Sequence, residues 1–329
     1  MTRLLLAAAL VAVALAAAPA PSVAAEASGE WVNISEPLVA QLAGQNLKPG
    51  YAGPTAGVAV DPADGAVYLV VNDLGLYKST DHGATFARCD AKAVGGRCET
   101  GFTIDADPKG GRLAVFVVYG SSATTGDAGK TWTASKVSHV DVVAVDWADA
   151  KTLLALRHEA GGLITLSTDG GQTWKDLEKG FKGLGVFDAR TFVATKEKEK
   201  GIFRSTDAGA TWTKVSDLDP AGLAMRVAGG VGYWTSAAGV LVSKDKGATW
   251  SVLGSPVKAY QGPYFGKDAR HLVVVGDEGF QETTDGGRTW KVVAPLPEGI
   301  KADRMTLCAW DARAGIFYVS RMTKHTFRY

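Results

Sequence analysis

Short apolar runs of four to six residues recur along most of this chain, separated by Gly, Asp and Asn. Around the first such group, residues 57–61, 66–71 and 75–79 are three runs rich in Val, Leu and Tyr, and a fourth begins at 85–88. β-branched and aromatic enrichment with Gly/Asp punctuation predicts strands rather than helices. The same order of three runs, a polar turn and a short closing run is then written again and again.

The polar turn carries the clearest signal. Six copies of Ser/Thr-x-Asp-x-Gly-x-Thr-Trp/Phe begin at 79, 125, 167, 205, 243 and 283, in steps of 46, 42, 38, 38 and 40 residues. Asp and Ser/Thr side chains bond their own turn backbone, Gly supplies positive φ, and the closing aromatic ring is a body to wedge between sheets. The six aspartates, Asp81, Asp127, Asp169, Asp207, Asp245 and Asp285, therefore read as turn staples, because residues repeated around a scaffold serve the scaffold. The pattern resembles the Asp-box (BNR) repeat of β-propellers, which implies an all-β ring with one four-stranded blade of roughly 40–45 residues per repeat.

Six boxes do not limit the ring to six blades. After Trp290 the chain writes three more strands, at 305–310, 315–320 and 325–329, and stops where a further box would begin. The missing fourth strand stands at the other end, where Glu30-Trp31-Val32-Asn33-Ile34 matches the exits of the boxes at Thr173-Trp174 and Thr211-Trp212. A seventh blade built from both ends would leave no sheet edge unpaired. The expectation is one seven-bladed propeller over residues 26–329, its last blade closed by the N-terminal strand.

Residues 1–25 look different. Arg3, an unbroken apolar run over 4–18 and small residues at the end make an export signal, too short for a membrane span of roughly 20 residues. Taking it away removes one arginine and no acid from 35 basic and 34 acidic side chains, so the two signs balance. A neutral chain without Lys/Arg runs carries no electrostatic footprint for nucleic acid or anionic membrane. A secreted or periplasmic monomer is expected. Cys89 and Cys98 flank a short loop that export would allow to close as a disulfide, with about 2–3 kcal/mol of chain-entropy stabilisation, or to remain as two thiols. Cys308 lies in an apolar run and reads as core.

Catalytic signatures are scarce. The five histidines show no metal-ligand spacing, Cys-x-x-Cys and Gly-x-Ser-x-Gly are absent, and the phosphate-loop-like stretch 126–131 lacks its first glycine at Thr124. No cofactor, no metal and no catalytic residue is assigned. In a propeller the box turns share one face, so ligands are sought on the opposite rim, among loops joining second to third strands and loops between blades. Those loops contain Tyr51, Asp73, Tyr119, the Arg157-His158-Glu159 run, Trp234, Tyr260, Tyr264, Asp277, Glu278, Asp303, Arg304 and Arg321. The ligand-binding set is taken as Asp73, Arg157, Glu159, Trp234, Tyr260, Asp277, Glu278 and Arg321. Acids, arginines and aromatics on one rim suit a glycan or a peptide; the alternative is that polar strand ends face water and that Trp234 packs between blades.

Families with these boxes divide the functional readings. Sialidases carry an Arg-Ile-Pro element before the first box; here no arginine lies between Arg3 and Ser79. Xyloglucan-cleaving glycosidases place a cleft between two propellers, whereas this chain writes one. Sortilin-type propellers bind peptides but are larger. Photosystem II stability/assembly-factor-like propellers are exported single rings of this size that act by binding partner proteins. The resemblance thus implies a non-catalytic scaffold that binds an extracellular glycan or protein; the alternative is a glycoside hydrolase using an acid pair drawn from Asp73, Glu159, Asp277 and Glu278.

Overall fold

The computed structural model describes residues 29–51 and 53–329, so the expected export signal lies outside the described residues. Seven four-stranded antiparallel sheets make a seven-bladed β-propeller. The first blade runs Thr55–Val60, Val67–Val71, Gly75–Ser79 and Ala87–Arg88, within one or two residues of expectation apart from its longer inner strand. Burial falls from the axis outward. All residues of the two inner strands are buried, whereas both residues of the outer strand are exposed. That gradient explains the unbroken apolar runs: inner strands are covered on both faces, which removes the in-out alternation of a half-exposed sheet.

The ring closes as expected. Strand Val32–Asn33 completes the sheet of Thr306–Asp311, Ile316–Arg321 and Phe327–Arg328, with Val32 opposite Arg328 and Asn33 opposite Phe327. Trp31 stands where a box tryptophan stands in other blades: its Nε1–H donates to the Pro295 carbonyl at 3.0 Å, and its ring packs on Phe280 and Tyr329. Fully buried Ser35 accepts from the Thr326 N–H at 2.9 Å, and Thr326 Oγ1 lies 2.9 Å from both Thr55 Oγ1 and Ser320 Oγ. This polar knot ties both ends of the chain to the first inner strand.

One element was not expected. Helix Glu36–Gly44 follows the closing strand, with Leu38 and Leu42, one turn apart, buried against Leu69, Val71 and Tyr77. It spans the step from the outer edge of the last blade to the inner edge of the first. Among the described residues no helix is long and apolar enough to cross a membrane.

The boxes are hydrogen-bonded turns. In the fifth, the Ser243 hydroxyl donates to Asp245 Oδ1 at 2.8 Å and accepts the Gly247 N–H at 2.7 Å. Asp245 also accepts the Thr249 N–H at 2.9 Å and the Thr249 hydroxyl at 2.6 Å. The hydroxyl and then the N–H of that threonine hold five of the six box carboxyls down at about 2. Each is thus more acidic folded than at its usual ~3.9, so it favours the fold above about pH 4, a contribution lost as pH falls through about 2. The box glycine has a second reason to be glycine. Gly83 has φ +88°, and a Cβ there would stand 2.8 Å from Ile34 of the preceding blade; at Gly209 it would stand 2.5 Å from Leu177. Replacing buried Ser243 with Ala leaves the Gly247 N–H unpaired, so chemical denaturation is expected to show a loss of about 1–3 kcal/mol.

The cysteines are free thiols. Cys89 Sγ–H points to the Leu76 carbonyl at 3.5 Å and Cys98 Sγ–H to the Phe116 carbonyl at 3.8 Å, in different blades. The disulfide expected between them is therefore not formed: one pairs back onto its own blade and the other faces into the next. Burial pushes both thiols up to about 12, which keeps them protonated at neutral pH.

Candidate functional site

The meander in each blade puts the boxes and first turns on one face, and the second turns and inter-blade loops on the other. On that second, upper face the structure gathers side chains from the first three blades. The Arg97 guanidinium lies 4.8 Å from the Tyr51 ring centre and 4.5 Å from that of Tyr119. Both tyrosines are open to solvent, at 75% and 48% exposure. Tyr119 meets His139 edge-on at 4.6 Å, and its hydroxyl donates to Glu159 Oε2 at 3.3 Å. Tyr119, His139 and Glu159 all hold positive φ, between 51° and 57°, uncommon for residues with bulky side chains.

Beneath this stack, Arg97 Nε donates to Glu99 Oε1 at 2.7 Å. His158 Nδ1 lies 2.9 Å from Asp141 Oδ1, while its Nε2 lies 3.8 Å from both Glu99 Oε2 and Glu159 Oε1. Burial raises the Asp141 carboxyl, against the opposing pull of His158. A pocket of about 270 Å³ opens beside this group at the mouth of the ring, bordered by Arg157, Lys182, Glu197 and Arg304. Arg157 Nε is buried in its wall with no hydrogen-bond partner. The arrangement offers stacked aromatic faces, a cation and several acceptors, which suits a ligand with both charged and planar groups.

The expected rim residues separate into distinct environments. Glu159 and Arg157 belong to this cluster. Asp73 is exposed, with its N–H tied to the Gly96 carbonyl. Asp277 pairs with Lys258 at 2.7 Å, Lys258 lies over Tyr260, and Glu278 is exposed beside them. Arg321 is clamped by Asp303, at 2.5 and 2.8 Å, and donates to Thr306. Trp234 is core. It is fully buried in strand Val231–Ser236 opposite Leu241, with its Nε1–H on the Gly222 carbonyl at 2.7 Å. The error lay in placing the turn. One 40-residue step back from Asp277-Glu278 lands on Ala237-Ala238, which makes Trp234 the counterpart of Val274, a buried strand residue. Tyr264 is likewise not in a loop: it lies in inner strand Gln261–Phe265, its hydroxyl on the Cys308 carbonyl.

Sequence reasoning also missed the channel. A cavity of about 460 Å³ opens toward the box face, lined by Val58, Val60, Ile104, Tyr264 and Trp310 among others. Asp105 of the second blade reaches Arg226 of the fifth at 3.1 Å and accepts the Trp147 Nε1–H at 3.0 Å. An acid in a strand whose counterparts are apolar was the available signal.

The fold is that of a seven-bladed β-propeller, and comparison places it among known proteins at a distance. No family model matches the chain. Residues of the chain are 34% identical over 149 positions to the dispase autolysis-inducing protein of Streptomyces mobaraensis, covering 42% of this chain and 39% of that protein. They are 30% identical over 174 positions to the xyloglucanase Xgh74A of Acetivibrio thermocellus, covering 48% of this chain and 19% of the enzyme. The chain thus spans well under half the length of either relative. Among solved structures, YCF48 bound to D1 peptide is similar with a TM-score of 0.53 at 12% identity, over 91% of this chain and 94% of that one. The GH74 enzyme of Niastella koreensis is similar with a TM-score of 0.55 at 15% identity, over 85% of this chain and 52% of that one. These two likenesses are of fold.

Proposed function

We propose that this propeller is an exported, non-catalytic scaffold that binds a partner protein on its upper face, with the Tyr51–Arg97–Tyr119 stack as the anchor. The observation that carries the reading is that cluster: two exposed aromatic rings within 5 Å of one arginine, whose partner Glu99 lines a neighbouring pocket with charges of both signs. Aromatic and arginine side chains supply most of the energy at protein interfaces, and partners concentrate on such anchors. Two similar proteins are named for protein partners, the dispase autolysis-inducing protein and YCF48 with its D1 peptide, which supports a protein over a glycan. The test is selection of peptides from a displayed random library on the purified protein. Enriched peptides are expected to bind Tyr119→Ala and Arg97→Ala at least tenfold more weakly, with melting temperatures close to the parent. Peptides that bind both variants as well as the parent would move the site elsewhere.

A hydrolase is the second reading, favoured by the xyloglucanase relative. Of its expected acids Asp73, Glu159, Asp277 and Glu278, Asp277 is engaged by Lys258 and Glu159 by Tyr119, which weighs against this reading. Release of soluble oligosaccharides from xyloglucan by the purified protein would overturn the scaffold reading.

A further inference from the structure

The group beneath the aromatic stack has the character of a cation site. Donor atoms of Glu99, Asp141 and His158 all lie within 4.8 Å of one another. They come from the loop after the first blade, the inner strand of the third and the turn after its second strand, so the ring itself brings them together. Fixed neighbours hold two of them in place. Arg97 occupies Glu99 Oε1 and leaves Oε2 facing His158. Asp141 holds His158 Nδ1, the arrangement by which a carboxylate fixes the orientation of a metal-binding imidazole. Nε2 is then left 3.8 Å from Glu99 Oε2 and 3.8 Å from Glu159 Oε1, too far for hydrogen bonds. Two ligands on one tetrahedral zinc, with bonds of about 2.0–2.2 Å, stand roughly 3.3–3.5 Å apart, so a few tenths of an ångström would bring Glu99 and His158 onto a shared ion.

A second observation points to an occupant. Arg157 Nε, buried in the wall of the adjoining pocket, lacks a hydrogen-bond acceptor. An ion on His158 would carry hydroxide or another anionic oxygen in an open position, supplying an acceptor of the kind Arg157 lacks. We propose that His158 and Glu99, with Asp141 as the residue that orients the imidazole, bind one divalent transition-metal ion such as Zn²⁺. Imidazole with carboxylate favours zinc or manganese over calcium, which prefers an all-oxygen shell of six to eight ligands. The proposal does not depend on a partner protein, because the three side chains meet within the free chain.

The experiment uses tag-free protein treated with EDTA and dialysed, then titrated with ZnCl₂ and separately with MnCl₂ and CaCl₂ by calorimetry, alongside thermal melts. One Zn²⁺ per chain and a raised melting temperature are expected. His158→Ala and Glu99→Gln should each weaken binding at least tenfold and abolish the melting shift, and Asp141→Asn should weaken it 10- to 100-fold as an outer partner. Glu278→Gln should bind as the parent does. If His158→Ala does not fold, Glu99→Gln and Asp141→Asn decide the matter. The proposal fails if folded parent protein gives neither heat nor a melting shift with Zn²⁺ or Mn²⁺. It also fails if the ion binds equally well to the Glu99 and Asp141 variants, which would place the ion elsewhere on the chain.

Discussion

Deletion of residues 29–35 is expected to open the ring. The deletion removes strand Val32–Asn33, the Trp31 ring on Phe280 and Tyr329, buried Ile34 and the Ser35 hydroxyl that accepts the Thr326 N–H. Loss of one packed aromatic costs about 3–5 kcal/mol and of one buried aliphatic side chain about 2–5 kcal/mol. A buried N–H left unpaired adds about 1–3 kcal/mol. A domain holds only about 5–15 kcal/mol in total, so the shortened chain should be largely unfolded or self-associated through its bared edge. Chemical denaturation and size-exclusion chromatography read this directly. A monomer that keeps the parent's unfolding midpoint would show the terminal strand to be dispensable. Strand Phe327–Arg328 would then tolerate exposure, against the logic of ring closure.

Trp234→Ala is the second large effect, expected in stability and not in binding. The indole is fully buried among Val193, Ile202, Met225 and Leu241, and its N–H has one partner, the Gly222 carbonyl. Truncation to Ala leaves a large cavity and should cost about 3–5 kcal/mol in a denaturant melt. Trp234→Phe keeps most of the ring volume and isolates the lost N–H···O bond, and should cost less. If Trp234→Ala melts like the parent while partner binding falls, the side chain belongs to the surface after all and the assignment to the core is wrong.

The contrast between these residues shows how far periodicity reaches. Trp31 was legible as the closing tryptophan because it copies a position seen in five other blades, and the structure gives it the same role on Phe280. Trp234 was misplaced because its turn, Ala237-Ala238, carries no charged or polar flag, and the indole nearby drew attention instead. Helix Glu36–Gly44 was missed because its pattern is not repeated: its two buried leucines are a weak signal beside the twenty-eight short strands of the described residues. The free state of Cys89 and Cys98 depends on which carbonyl each thiol faces, which eight intervening positions in a loop do not specify.

What the amino-acid order determined by itself is everything repeated, or completed from a repeat: the strand content, the blade length, the box turns, the count of seven and the joining of the two ends. These are local interactions written many times, and each copy confirms the others. The tertiary structure decided everything that occurs once. Glu99, Asp141 and His158 have no telling spacing in sequence, yet three separate segments deliver their donor atoms to one place. Asp105 and Arg226, more than a hundred positions apart, meet across the channel for the same reason. A closed ring sets the angle and distance between any two blades, so side chains remote in the chain converge at its mouth, and only ring geometry says which ones meet.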